Sequence, residues 1–297
     1  MVTYTLRQLA YFVSAAEHKS LIQAAAQLHV SPPSVSIAIS KLESQFGVQL
    51  LIRHHAQGVS LTPSGQRLLP EAKSLLRHSE ELQASAQATG NSVSGELKVG
   101  CFVTIAALFM PSLITGFNHT YPSASIRLFE GNQEELVTAL RGGHLEIALV
   151  YDRELGADIQ FELLRESAPY VLLNANHRLA RHASVELATL SKEPLILLDI
   201  PPSREYFLGL FQADKVTANI GFSSPSFEVV RGMVGQGAGY SLLVTKPQGD
   251  LTYDGCKLIT RPLTGIKEPG RIGLAKMTNL RPTRLMQAFR EYCFVKL

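Results

Sequence analysis

The chain has 297 residues, 45% of them hydrophobic and 18% charged, with a net charge of +3 and no Trp. That length holds two or three domains with cores of their own, and no run reaches the roughly 18 apolar residues needed to cross a bilayer, which excludes a membrane protein from the expectations. Three widely spaced cysteines (Cys101, Cys256, Cys293) argue against a disulfide framework, and the start MVTYTLRQLA lacks the pattern of an export signal, so a reducing cytoplasm is the expected compartment.

Between Ser20 and Gly65 the apolar residues fall at helical spacing, break, and resume. Leu21, Ala24, Ala25 and Leu28 line one face; after His29-Val30-Ser31, a second face carries Val35, Ile39 and Leu42. Two short amphipathic helices joined by a tight turn predict a helix-turn-helix, which lays its second helix in the DNA major groove. Ser31 suits the N-cap, and Pro32 and Pro33 suit the first turn. The polar side of that helix offers Ser34, Ser36, Ser40 and Lys41 to base edges or phosphates. Gly47 ends it as a C′ glycine. Leu50 to Arg53 and Val59 to Leu61 alternate like two strands around a tip at 54–58, which makes a wing. Thr62 caps the next helix, with Pro63 at its first position. The expected DNA contacts are Ser31, Pro32, Pro33, Ser34, Ser36, Ser40, Lys41, Arg53, His54 and His55.

This pattern resembles the LysR-type transcriptional regulators. It is carried by Ala25-Ala26, Leu28, Ser31, Val35-Ser36, Leu42-Glu43, Gly47, Leu50, Arg53, Leu61-Thr62 and Gly65. Three positions depart from it. Pro32 stands where the family usually has a glutamine that touches DNA, Ser34 replaces the common alanine, and Leu51 replaces a phenylalanine before the wing.

Residues 1–90 carry seven Lys and Arg against five Glu, a weak positive balance for a DNA binder. Contacts summed over several copies would supply the affinity, so an oligomer is expected. Five of the nine histidines lie in this segment, read either as exposed neutral imidazoles or as a pH-tuned contribution to DNA affinity. From Ser64 to Thr89 a single apolar stripe (Leu68, Leu69, Ala72, Leu75, Leu76, Leu82, Ala86) marks a long helix. It serves either as an antiparallel dimerisation helix or as a helix packed on its own effector domain. Gly90 to Gly95 breaks the pattern.

From residue 96 strands and helices alternate, which implies an α/β fold with a parallel, doubly wound sheet. The resemblance implies a periplasmic-binding-protein-like effector domain of two such α/β subdomains. The expected division is 1–62 for the winged helix-turn-helix, 63–91 for the linker helix, and 92–297 for the effector domain. Within the last, subdomain I takes 92–163 and 267–297, and subdomain II takes 164–266. The two crossings are placed at about Val150 to Leu163 and about Pro262 to Gly270.

Ligands in open α/β sheets sit at the carboxyl ends of strands. The residues that follow the expected strands are Phe102, Thr104, Asn132, Tyr151, Pro202, Ser203, Arg204, Phe222 and Ser223. Thr104 is read as a helix cap offering its hydroxyl, and the resemblance implies an effector contact there. Ser203 reads as an N-cap and Arg204 as an anion fork, or else the pair is a plain cap and a surface arginine held by Asp199 or Glu205. Nearby aromatic rings suggest a small aromatic or apolar carboxylate. Gly235 to Gly239 resembles a nucleotide loop but follows a helix instead of a strand, so it is read as a tight turn.

No metal-spaced cluster, Walker loop or G-x-S-x-G elbow occurs, so neither cofactor nor metal nor catalysis is expected. Cys101 reads as a buried inert thiol or a redox sensor. The expected partners are double-stranded DNA, a small-molecule effector, a second copy in a homodimer or homotetramer, and RNA polymerase if the protein activates. The rival reading is a solute-binding protein or small-molecule enzyme.

Overall fold

The computed structural model describes residues 3–54, 58–87, 93–266 and 268–297. His55 and the start of the Gly90–Gly95 break therefore lie outside the described residues. The N-terminal unit begins with α1 (Leu6–His18), whose Thr5 cap and Gln8 form a reciprocal capping box. α2 (Leu21–Gln27) is capped by Ser20. α3 (Pro32–Phe46) is capped by Ser31, carries both prolines in its first turn and ends at left-handed Gly47. The wing is an antiparallel pair, β1 (Leu51–His54) and β2 (Gly58–Leu61), with Leu51 opposite Leu61.

Thr62 ties the wing to α4 (Pro63–Gln87). Its hydroxyl donates to the Gln49 carbonyl (2.6 Å) and accepts from the Gly65 N–H (3.0 Å). Glu43 holds the other side, its carboxylate accepting the Leu50 and Leu51 N–H groups at 2.7 and 3.0 Å. One core joins these elements: Leu9, Phe12, Ala24, Val35, Ile39, Leu42 and Leu50, closed by Leu69 and Ala72 from α4.

The second unit starts with β3 (Gly95–Phe102), α5 (Val103–Thr120), β4 (Ala124–Gly131), α6 (Gln133–Arg141), β5 (Ile147–Tyr151) and β6 (Ile159–Ser167). The chain then moves through β7 (Tyr170–Asn174), a short turn of helix at Arg178–Arg181, α7 (Leu187–Leu190), β8 (Leu195–Leu198), α8 (Ser203–Ala213), β9 (Ile220–Ser224), α9 (Phe227–Gly235), β10 (Ser241–Leu243) and β11 (Leu258–Pro262). It returns to the first sheet with β12 (Gly270–Met277) and ends on α10 (Arg284–Lys296).

The first sheet has the order β4-β3-β5-β12-β6. Its β4-β3-β5 part is parallel, while β12 runs antiparallel to both β5 and β6. The second subdomain combines parallel β8-β9 with antiparallel β10-β7-β11, joined by a bridge between Leu195 and Tyr240. Parallel strands follow the βαβ crossovers, and every antiparallel pairing in these sheets involves a strand that flanks a change of subdomain (β6, β7, β11 or β12).

The first crossing differs from the expectation. Residues 159–167, including 164–167 assigned to subdomain II, pair with β12 in the first sheet. The crossing is at Ala168-Pro169, where Pro169 has no N–H to give to a ladder. The half-buried pattern of 161–173 shows strand but not which sheet owns it, because the partner strand β12 comes a hundred residues later. Among the described residues no helix is long and apolar enough to cross a membrane.

Candidate DNA-contacting surface and ligand cleft

α3 turns Val35, Ile39 and Leu42 inward and leaves Ser31, Pro32, Pro33, Ser34, Ser40 and Lys41 exposed, with Ser36 half-buried. Ser31 and Ser34 share a hydroxyl contact of 2.7 Å at the helix start. Arg53 reaches from the wing back to α3, its Nη2 donating to Ser40 Oγ at 2.7 Å. His54 Nε2 lies 2.7 Å from Ser60 Oγ across the wing. Helix and wing thus present one polar surface. Sequence reasoning missed Ile37, which is 68% exposed in the middle of it. The signal was available: Ile37 falls off the 35–39–42 stripe, and an exposed aliphatic group there suits a thymine methyl.

The cleft between the subdomains is lined by Thr104, Tyr151, Arg153, Leu198, Pro202, Ser203, Tyr206, Phe207, Phe227, Leu243, Val244 and Thr245. Of the expected residues, Thr104, Tyr151, Pro202 and Ser203 meet here. Phe102 is fully buried behind them and packs edge-on against Tyr151, with ring centroids 5.3 Å apart. Asn132 does not reach the cleft; it caps α6 in a box with Glu135. Arg204 is paired to Asp199 at 2.8 Å, which holds that carboxyl below its ordinary value. Phe222 and Ser223 lie exposed on β9.

Two caps also differ. α5 starts at Val103 and α8 at Ser203, so neither Thr104 nor Ser203 stands in the N-cap position. α5 starts two residues, and α8 one residue, earlier than a capping hydroxyl at these positions would place it. Thr104 instead points its Oγ1 at the Tyr151 hydroxyl, 3.3 Å away. That phenol also meets the Thr245 hydroxyl, and burial raises its pKa to about 12, so it stays a neutral donor. Gln133 braces this strand end by donating to the Tyr151 carbonyl at 2.8 Å and to that of Arg153.

Arg153 and Thr245 were missed. Arg153 lies with its guanidinium 4.6 Å from the Tyr206 ring centroid and 3.3 Å from the Glu268 carboxylate. Tyr206 in turn donates to the Glu268 carbonyl at 2.9 Å, and burial lifts its pKa to about 12. These three residues wall the cleft off from an outer groove. The inner cavity measures about 20 Å³ and the outer groove, along Glu205, Gly209, Leu210 and Asp214, about 300 Å³. The strand-end rule offered both, since Thr245 lies two residues past β10 and Arg153 two past β5; the partners of Arg153, distant in sequence, were not signalled.

All three cysteines are free thiols. Burial pushes Cys101 well up and Cys293 to about 12, while Cys256 is half-buried. Gly235 to Gly239 joins α9 to β10 as a turn. No cluster of three or more His, Cys, Asp or Glu suited to a metal occurs among the described residues.

Comparison with known proteins bears on both units. Residues 6–66 match the bacterial regulatory helix-turn-helix protein family of lysR type, and residues 90–294 match the LysR substrate binding domain. The DNA-binding transcriptional dual regulator OxyR of Escherichia coli is 32% identical over 241 residues, 80% of this chain and 78% of that protein. The crystal structure of HinK, a LysR family transcriptional regulator from Pseudomonas aeruginosa, is 42% identical, covers 99% of each chain and superposes with a TM-score of 0.68. A full-length OxyR variant from the same organism is 26% identical over 99% of this chain and 98% of its own, with a TM-score of 0.78. Its relatives are regulators, not enzymes, and the chain belongs to the LysR family of transcriptional regulators, with a DNA-binding helix-turn-helix joined to a substrate-binding domain.

Proposed function

We propose that this regulator is controlled by a small aromatic or apolar carboxylate bound between its effector subdomains. The observation that carries this reading is Arg153, a cation at the rim of a cleft whose walls are Leu198, Phe207, Phe227, Leu243 and Val244 and whose floor holds the Thr104, Tyr151 and Thr245 hydroxyls. An apolar body would sit on the former and hydrogen-bonding groups on the latter, with the anion at the rim. Ligand pockets commonly run to about 300–1,000 Å³, so a ligand would need more room than the 20 Å³ between these walls. Entry requires Arg153 and Tyr206 to part and join it to the outer groove.

Ser31, Ser34, Ser36, Ser40, Lys41, Arg53 and His54 would meet DNA, with Pro32 and Pro33 shaping the helix start. Copies would pair along α4, where Leu75 and Leu82 are exposed, and pairs would assemble into a tetramer. A ligand preferring one subdomain arrangement tenfold shifts the balance by about 1.4 kcal/mol. If it activates, RNA polymerase is the partner; the protein acts where the chromosome is, in the cytoplasm. Some relatives carry the name hydrogen peroxide-inducible genes activator. Thiolate is the reactive form of cysteine, and the raised, buried Cys101 and Cys293 support a ligand over oxidation of those two thiols.

The test is a thermal-shift screen with benzoate and aliphatic carboxylates beside neutral sugars and amines. Carboxylates should raise the midpoint, and Arg153→Gln should abolish the rise while Arg204→Gln leaves it. A rise with sugars or amines alone would overturn the ligand class.

A further inference from the structure

Lys73 lies on α4 with its side chain 7% exposed. An ammonium has three donors and no acceptor, and here each donor meets a partner. One is the Glu17 carboxylate of α1, at 3.0 Å. The other two are the Gly142 carbonyl and His144 Nδ1, both at 3.2 Å, from the loop between α6 and β5. One side chain therefore joins the DNA-binding unit, the linker helix and the effector domain. The loop is built for this approach. Gly143 has φ +62°, and a Cβ there would stand 3.1 Å from the Pro70 Cα and 3.2 Å from the Lys73 Cδ. Arg77, one turn on, faces buried Glu146 at 3.4 Å.

Because Lys73 can only donate, His144 must accept through Nδ1, and the imidazole must be neutral in this arrangement. Protonated, it would turn an N–H toward an ammonium. We propose that Lys73 and His144 form a pH-sensitive tie that docks the effector domain on the linker helix and the DNA-binding unit, and releases it in acid.

The surroundings sharpen this. Facing the pair are Glu17 from α1, Arg77 from α4 and Lys98 from β3, while Arg77, Lys98 and Glu80 surround Glu146 beside the loop. Arg127 of β4 and Glu134 and Glu135 of α6 share the depression next to His144. Burial first, then Lys73, lowers the His144 pKa from its ordinary 6.5, against an opposing pull from Glu17. The docked state thus prefers the unprotonated ring. The tie is fully present above the ordinary histidine value and is lost as pH falls below it, through the lowered one. It works whatever ligand the cleft takes.

Hydrogen exchange of the full-length protein tests the tie. Amides in 66–78 and 139–146 are followed at about pH 7.5 and about pH 5.5, on either side of the histidine range, with intrinsic rates divided out. The wild type should lose protection severalfold in both segments at the lower pH. His144→Gln, whose amide oxygen still accepts but never protonates, should hold its protection at both. Lys73→Met should be open at both. Protection in the wild type that ignores pH, or a His144→Gln variant that loses it as the wild type does, would overturn the proposal; so would full protection in Lys73→Met.

Discussion

The DNA-binding unit and the ligand cleft are both built from short elements, yet they were unequally readable. In the first, almost every decisive contact is local. Ser31 caps the helix it precedes, Glu43 holds backbone seven and eight residues on, and Arg53 meets Ser40 thirteen residues back. In the cleft the contacts join strand ends far apart in the chain: Tyr151 with Thr245, Arg153 with Tyr206 and Glu268. Local chemistry can be read from spacing; which strand end faces which cannot.

Three substitutions would break or sharpen that contrast. The largest effect is expected at Ile39, 1% exposed in the N-terminal core. Ile39→Ala should cost about 2–5 kcal/mol, read by urea denaturation, and should unfold residues 1–83 ahead of the effector domain. Loss of both units in one transition would mean that their cores are not independent. Next comes Arg53→Ala. Binding to mixed-sequence duplex DNA should weaken, and the slope of log affinity against log salt should fall by about 1, as one phosphate contact is removed. An unchanged slope would take the wing off the DNA. The smallest effect belongs to Arg204→Ala. Its pair with Asp199 is partly exposed on both sides, so about 0–1 kcal/mol is at stake. Asp199 is held below its ordinary 3.8, so that stability is present above this value and fades as pH falls through the lowered one. Thermal midpoints between neutral and acid pH would show it; a large loss at neutral pH would give Arg204 a structural weight that its exposure does not suggest.

The same contrast explains what the sequence showed. The helix-turn-helix and wing lay in the caps, the two apolar faces and the prolines at 32 and 33. The strand-end rule found Thr104, Tyr151, Pro202 and Ser203, but it counted Asn132, Phe222 and Ser223 equally, because the rule carries no information on which ends look inward. It also favoured Arg204, whose paired acid sits five residues back, over Arg153, whose setting exists only once Tyr206 and Glu268 have been brought alongside. The crossing at Ala168-Pro169 was misplaced for the same reason: strand ownership was decided by β12, far downstream.

That crossing has a mechanical consequence. The outbound strand passes from one subdomain to the other through Ala168 and Pro169 alone, whereas the return is longer, leaving the second subdomain after Thr264, which still bonds Val185, and rejoining the first sheet at Gly270. At no more than about 3.6 Å of reach per residue, the short passage has little slack and acts as a pivot, and the longer one as a swinging arm. Glu268, which meets Arg153 of the first subdomain and Tyr206 of the second, rides on the arm. Rotation of the second subdomain would therefore be nearly silent at Pro169 and widest at the rim of the cleft, so that the same movement that admits a ligand is the one its binding would report.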